Sequence, residues 1–140
     1  MDFSEQIHEL ALHINSIIRQ AATKHSISFA QAQLLLKMPI DRISISELSK
    51  HLGIDISTMS RNINKLERVE ILERVKSVND KRTSEVLLTN KGKKIVSLLY
   101  SELDSVSTKI LSFMPMDAQQ NMADILEQLN WSFIKYRDKQ

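Results

Sequence analysis

The sequence predicts a mainly α fold with one small β-hairpin, and three observations lead to this fold class. The 140 residues contain only two glycines and two prolines, whereas average usage is about 7% and about 5%. Apolar residues recur at spacings of three and four over most of the chain, as on one face of a helix. Only residues 71–88 lose this period, and they carry β-prone residues on both sides of a polar centre. These features exclude most all-β folds and glycine-rich phosphate loops.

Length and composition narrow the class of protein further. A chain of 140 residues with 42% hydrophobic and 26% charged residues is typical of a single soluble globular domain. The absence of cysteine excludes disulfides, thiolate catalysis and cysteine-ligated zinc. The first residues are acidic and carry no export signal, and no apolar run approaches the roughly 18 residues that span a bilayer. We therefore expect a cytoplasmic protein with no membrane partner.

Two helices open the chain. An apolar stripe at helical spacing predicts the first helix over about residues 3–24, and it consists of Phe3, Ile7, Leu10, Ile14, Ile17 and Ala21. Residues 29–38 predict a second helix, with Ser28 as its N-cap and Pro39 just beyond its end.

Two shorter helices follow. Ser46 is the predicted N-cap of a helix that ends at Gly53, where a residue in the left-handed conformation is expected. Either Asp55 or Ser57 caps the next helix. An i, i+4, i+7 pattern predicts the buried face of that helix, which consists of Met59, Ile63 and Leu66.

A hairpin and two long helices complete the predicted elements. Residues 71–88 form the hairpin, with a loop of about six residues. Thr89 caps the fifth helix, and Pro115 separates it from the sixth. Apolar residues at helical spacing run along both: Ile95, Leu99, Leu103, Val106, Ile110 and Phe113 in the fifth, and Ala118, Met122, Ile125, Leu129 and Phe133 in the sixth.

Residues 46–67 have the pattern of a helix-turn-helix. A helix that enters the major groove needs short hydrogen-bonding side chains for base edges and cationic ones for phosphates. The second helix of the pair carries both kinds on the face left free by its apolar residues: Ser57, Thr58, Ser60, Arg61, Asn62, Asn64, Lys65 and Arg68. Any solvated helix also shows a polar face, so this pattern alone leaves both interpretations open.

The hairpin loop concentrates polar and basic residues at its tip, in the order Asn79, Asp80, Lys81 and Arg82. A basic side chain at such a tip can enter the minor groove, where the negative potential favours arginine. Asp80 is placed to hold the loop and orient Arg82 by a charge-assisted hydrogen bond. The alternative is an ordinary polar turn with an incidental surface ion pair.

Charge is segregated along the chain. Residues 42–94 hold 12 Lys/Arg and 7 Asp/Glu, a net of +5, and the remaining residues hold 7 and 10, a net of −3. A basic middle with acidic flanks is typical of a phosphate-facing module on a scaffold that does not bind DNA.

These segments together resemble the MarR/SlyA family of bacterial winged helix-turn-helix regulators, over essentially the full length. The residues that carry the resemblance are Ile45 to Gly53, Ser57 to Glu67, Asn79 to Arg82 as the Asp-x-Arg of the wing, and Leu88 to Gly92 as Leu-Thr-x-x-Gly. The resemblance implies one domain over 1–140, with a winged helix-turn-helix module over about 28–90 flanked by dimerisation helices over about 3–24 and 90–138. It also implies a homodimer that reads a pseudo-palindromic operator in double-stranded DNA.

The resemblance further implies roles for single residues. Ser57, Thr58, Ser60, Arg61 and Asn62 would lie in the major groove. Lys65 and Arg68 would lie near phosphates, and the basic wing tip of Lys81 and Arg82 would reach the DNA, with Arg82 in the minor groove and Asp80 bracing it. One departure is Glu70, which stands where the family usually has glycine. If φ is positive there, a side chain is costly, and the end of the helix would be shaped differently.

Members of the family are often switched by small aromatic ligands at the junction of dimerisation helices and winged module. Met38, Met114, Met116 and Met122 are soft side chains that could line such a pocket, although methionine more often fills a core. No cofactor is implied. The four histidines do not pair at i, i+4, and no serine stands beside an evident base, so the sequence gives no reason to propose a metal site or an enzyme.

The flanking helices carry more apolar surface than a small winged module can cover, which favours a dimer. The alternative is an intramolecular packing of these three helices, although Trp131, Phe133 and Tyr136 lie too near the C-terminus to be buried easily. We therefore expect a homodimeric DNA-binding regulator, most simply a repressor. The competing hypothesis is a helical protein-interaction module that uses the winged fold without DNA.

Overall fold

The computed structural model describes all 140 residues and contains six helices and three short strands. Their order is α1 (Phe3–Lys24), α2 (Phe29–Lys37), β1 (Arg42–Ser44), α3 (Ile45–Leu52), α4 (Ile56–Arg68), β2 (Leu72–Lys76), β3 (Ser84–Leu88), α5 (Asn90–Ser112) and α6 (Met116–Asp138). The predicted mainly α fold with a small hairpin is confirmed. None of the helices has the length and apolar character required of a membrane span.

The apolar face of α4 anchors the helix-turn-helix in the core. Met59, Ile63 and Leu66 are almost completely buried, as the spacing predicted. They join a cluster that includes Leu48 of α3 and Val86 of β3. Because the inward face of α4 is fully occupied by this cluster, its opposite face is free for solvent or a ligand.

The sheet has one strand more than the sequence predicted. β2 and β3 form the expected antiparallel hairpin, and β1 pairs with the other side of β3, which gives the order β1-β3-β2. In this pairing Ile43 lies opposite Val86. A strand of three residues is too short to show a period of two, which is why the sequence concealed it.

Side-chain caps fix where the helices begin, and one predicted cap, Ser46, is wrong. Ser28 caps α2 in a capping box, as predicted. The cap of α3 is Ser44, whose hydroxyl accepts from the N–H of Glu47, and Ser46 lies inside the helix. Of the two residues proposed for α4 the cap is Asp55, and Ser57 is part of the first turn.

Three helices end in a residue with positive φ. Gly53 adopts φ 66° after α3, as predicted, but Ser26 and Glu70 adopt φ 58° and 62° after α1 and α4. At the end of α4, Ile71 N–H donates to Leu66 O and Glu70 N–H donates to Glu67 O, which is the Schellman pattern. The end of α4 therefore keeps the shape that a glycine would give, although the residue is a glutamate.

By packing, the chain divides into two compact units, Met1–Leu103 and Asp104–Gln140. The first contains the helix-turn-helix and the sheet. The second contains α6, in which no residue is buried. Large apolar side chains are correspondingly exposed on α6, including Ile125, Trp131, Phe133 and Tyr136.

Candidate nucleic-acid interface

The outward face of α4 carries the predicted base-reading and phosphate-binding side chains. Ser57, Arg61, Lys65 and Arg68 are exposed, whereas Thr58, Ser60 and Asn62 are half-buried. Successive residues are 100° apart around a helix, so the exposed four share one side, opposite the buried Met59, Ile63 and Leu66. The structure therefore gathers the predicted cationic residues of α4 on one accessible surface.

A hydrogen-bond network organises the first turn of α4. Asp55 accepts the N–H of Thr58 at Oδ1 and its hydroxyl at Oδ2, both at 2.8 Å. Arg61 in turn donates from Nη2 to the hydroxyl of Thr58 at 3.2 Å. The N–H and hydroxyl of Thr58, together with the nearby charge of Arg61, hold the pKa of Asp55 below its ordinary value of 3.8. The carboxylate is thus ionised over the physiological range.

This network limits what two of the predicted base readers can do in the free protein. The hydroxyl proton of Thr58 is committed to Asp55. Asn62 donates its amide back to the carbonyl of Thr58 at 3.3 Å, one turn earlier. The Arg61 side chain is exposed, and its hydrogen bond to the Thr58 hydroxyl orients the guanidinium group. An exposed and oriented guanidinium is the arrangement that bidentate recognition of a base edge requires.

The wing loop is closed by its own side chains. Asp80 Oδ1 accepts from the backbone N–H of Arg82 at 3.0 Å and from its Nε at 3.2 Å. Thr83 N–H and hydroxyl both donate to Asp80 O. The Arg82 side chain is nevertheless 91% exposed. Asp80 therefore holds the loop and orients an otherwise free guanidinium, as the sequence indicated, and Lys81 is exposed beside it.

One contact between α4 and the hairpin was not predicted. Arg74 of β2 donates from Nη2 to Asn64 Oδ1 at 2.6 Å, while its Nε is buried without a partner. Asn64, assigned from the sequence to the free polar face of α4, is thus engaged in holding the helix to the wing. No local signal reveals this pair, because its members are ten residues apart on different elements.

The start of α5 packs against the end of α4. Thr89 caps α5 by accepting the N–H of Gly92 at 3.0 Å, as predicted. Its hydroxyl lies within hydrogen-bond distance of Glu70 O and Ile71 O, and Lys91 Nζ donates to Val69 O at 2.8 Å. The backbone carbonyls of the turn that follows α4 are therefore held from α5.

A cleft of about 490 Å³ lies beside this turn. It contains the cationic side chains of Lys65, Arg68 and Lys91 and no carboxylate. The remaining lining residues are His25, Ser26, Ile27, Gln31, Leu66, Val69, Ile71 and Ile95. None of the four methionines that the sequence suggested for a pocket lines it, and Met38 instead packs against the core. No group of three or more His, Cys, Asp or Glu is arranged to hold a metal ion.

Part of the chain matches the model of a known protein family. The profile of the MarR family matches residues 40–84, which include the helix-turn-helix and most of the hairpin. No curated protein matches the sequence.

Solved structures of similar fold span nearly the whole chain. A MarR transcriptional regulator from Methanosarcina mazei Go1 is 24% identical with a TM-score of 0.83, covering 95% of this chain and 96% of that one. Wild-type MarR from E. coli is 21% identical with a TM-score of 0.79, covering 92% and 96%. MepR from S. aureus, solved in complex with DNA, is 20% identical with a TM-score of 0.73, covering 94% and 98%. The chain thus has the fold of the solved MarR regulators, and its residues 40–84 match the model of the MarR family.

Proposed function

We propose that this chain is a sequence-specific double-stranded DNA-binding transcriptional regulator and not an enzyme. The observation that carries the proposal is the surface of α4, where Arg61, Lys65 and Arg68 are exposed on one side while the other side is sealed into the core. The braced wing with its exposed Arg82 supplies a second basic element. Two structures of similar fold, a mutant MarR from E. coli and MepR from S. aureus, were solved with DNA.

In this proposal α4 is the recognition helix. Its N-terminal residues enter the major groove, where Ser57, Ser60 and Arg61 meet base edges. Thr58 and Asn62 take part once their intrahelical hydrogen bonds exchange for contacts with DNA. Lys65 and Arg68 bind phosphates, and Arg82 enters the adjacent minor groove with Lys81 near the backbone.

We further propose a homodimer built from the flanking helices. α6 buries none of its residues within the chain, and α1 leaves Phe3, Leu10 and Ile14 exposed. Apolar surface of this extent on a monomer marks an interface. A two-fold axis would then present two recognition helices about 34 to 36 Å apart to successive major grooves, which suits a pseudo-palindromic operator.

The regulator is proposed to act in the cytoplasm as a repressor that blocks transcription by occupying its operator. A small aromatic acid is proposed as the releasing ligand, because the cleft beside α4 combines apolar walls with Lys65, Arg68 and Lys91 and has no carboxylate. Thermal shift with benzoate tests this idea, with benzyl alcohol as the neutral control. Equal shifts with both compounds would show that charge plays no part in binding.

Fluorescence anisotropy tests DNA binding directly. A labelled duplex enriched from a randomised pool by the protein is titrated at several salt concentrations. Phosphate contacts predict that log K falls by about 0.9 per contact for each decade of salt. Affinity that is absent, or that does not change with salt, would refute the proposed function.

A further inference from the structure

Thr89, the N-cap of α5, and Lys91, in its first turn, contact the backbone carbonyls of the turn after α4. The carbonyl of Val69 accepts from Lys91 Nζ and that of Ile71 accepts from Thr89 N–H, and the Thr89 hydroxyl lies within hydrogen-bond distance of the carbonyls of Glu70 and Ile71. These carbonyls belong to the turn that carries the chain from α4 to β2.

The same turn is strained. Glu70 has φ 62° and is not a glycine, so its backbone occupies a region that L-residues rarely adopt. Such a conformation persists only where the surroundings over-determine it. Lys91 adds a positive charge at the C-terminal end of α4, where the helix dipole is negative.

We propose that Lys91 is a positioning residue for DNA binding, which latches the C-terminal end of α4 to α5 and contacts no phosphate. This inference rests on the proposed function. Its basis is the direction of the side chain: Nζ donates to Val69 O at 2.8 Å, so the ammonium group is turned towards the backbone of the turn after α4. A count of basic residues would instead assign Lys91 to the DNA-facing charge, together with Lys93 and Lys94.

The latch matters for base reading because α5 is one continuous helix from Asn90 to Ser112. A rigid helix that grips the end of α4 fixes the angle at which α4 leaves the core. Without the latch, α4 can tilt about its buried face. Contacts with base edges, which need good geometry, then weaken more than contacts with phosphates, which act largely through charge.

Lys91→Met tests the proposal, because it keeps the length of the side chain and removes the donor. Lys93→Met is the matched control: Lys93 lies on the same turn and is exposed, and its ammonium group makes no hydrogen bond or ion pair, while its backbone N–H donates to Thr89 O. Binding is measured by anisotropy with the enriched duplex and with a scrambled duplex of equal length, over a salt series. Lys91→Arg is included as the conservative variant.

We expect Lys91→Met to lose about fivefold to tenfold in affinity for the enriched duplex, as for one lost hydrogen bond, and much less for the scrambled one. Its salt slope should equal that of the wild type, and Lys91→Arg should restore most of the discrimination. A slope reduced by about 0.9 with equal losses on both duplexes would identify a phosphate contact and overturn the proposal. So would discrimination unchanged from that of Lys93→Met. Failure of the wild type to bind either duplex would instead refute the proposed function.

Discussion

The Cα of Gly92 in α5 lies so close to the backbone carbonyl of Ile71 that a β-carbon at this position would overlap the carbonyl oxygen. The close approach lets the first turn of α5 pack directly on the segment between α4 and β2. Gly92 is therefore required for steric reasons, although its own backbone is helical and needs no positive φ.

We predict that Gly92→Ala destabilises the protein by about 1 to 3 kcal/mol, as overpacking in a rigid environment does. Helix propensity alone would favour alanine by about 1 kcal/mol, so the sign of the change shows which effect dominates. Urea unfolding followed by circular dichroism measures it. Ser97→Ala, on an exposed position of the same helix, is the control and should be neutral or slightly stabilising.

We predict that Glu70→Gly stabilises the fold by about 0.5 to 1 kcal/mol, since relief of the left-handed strain exceeds the entropic cost of glycine. The Glu70 side chain is exposed and makes no hydrogen bond, so little is lost. Glu67→Gly, inside α4, should instead destabilise by about 1 kcal/mol. Equal effects of the two substitutions on the unfolding midpoint would contradict the role of φ at Glu70.

The N-cap of α4 predicts a pH dependence. Because hydrogen bonds from Thr58 lower the pKa of Asp55 in the folded state, the stabilisation that the ionised Asp55 contributes is fully present above its ordinary pKa of 3.8. This stabilisation is lost as the pH falls through the lower pKa that Asp55 has in the folded protein. Asp55→Ala should therefore lower Tm at neutral pH, and its difference from the wild type should shrink at acidic pH.

The variant Asp55→Asn distinguishes the stability that comes from the capping hydrogen bond from the stability that comes from the negative charge of Asp55. Asparagine caps helices well, so its Tm at neutral pH should lie between those of the wild type and the alanine variant. A gap between the wild type and Asp55→Ala that stays constant down to strongly acidic pH would show that ionisation of Asp55 does not contribute.

We predict that Arg82→Ala weakens DNA binding and leaves Tm unchanged, because the side chain is 91% exposed and its ion pair with Asp80 is exposed too. The salt slope should fall by about 0.9 if Arg82 meets the DNA. Asp80→Ala should also weaken binding, because the wing loses its brace. A large drop in Tm for Arg82→Ala would show that the residue is structural.

We predict that Phe133→Glu shifts the protein from dimer to monomer in sedimentation velocity, since Phe133 is 50% exposed in the apolar stripe of a helix without buried residues. A charge placed in an apolar interface is not compensated. Gln128→Glu, at an exposed position about 140° around α6 from Phe133, adds the same charge outside the apolar stripe and is the control. A wild-type chain that sediments as a monomer would refute the proposed dimer.

The sequence predicted those parts of the fold that depend on local pattern. The buried face of α4, the caps at Ser28 and Thr89, the left-handed Gly53 and the Asp80–Arg82 hydrogen bond all follow from spacing or from residue type within a few positions. The roles of the α4 and wing residues in DNA binding remain predictions.

Features that depend on distant residues could not be predicted. β1 exists because β3 offers it a partner about forty residues away in sequence, and Arg74 meets Asn64 only when the hairpin folds against α4. The cap of α3 is Ser44 rather than Ser46 because α3 begins at Ile45, immediately after the last residue of β1. At Glu70 the tertiary contacts of the turn outweighed the preference for glycine.

The pairing of Ile43 with Val86 closes a loop of chain that contains α3, α4 and β2. Opening of α3 or α4 alone would leave a long closed loop between the paired strands and would expose the core that Val86 shares with Leu48 and Met59, so these elements and the strand pairing stabilise one another. Backbone amides of α4 and of the central strand should therefore exchange with solvent in one cooperative opening. The module would then bind and release DNA as a preassembled unit, without folding upon its target.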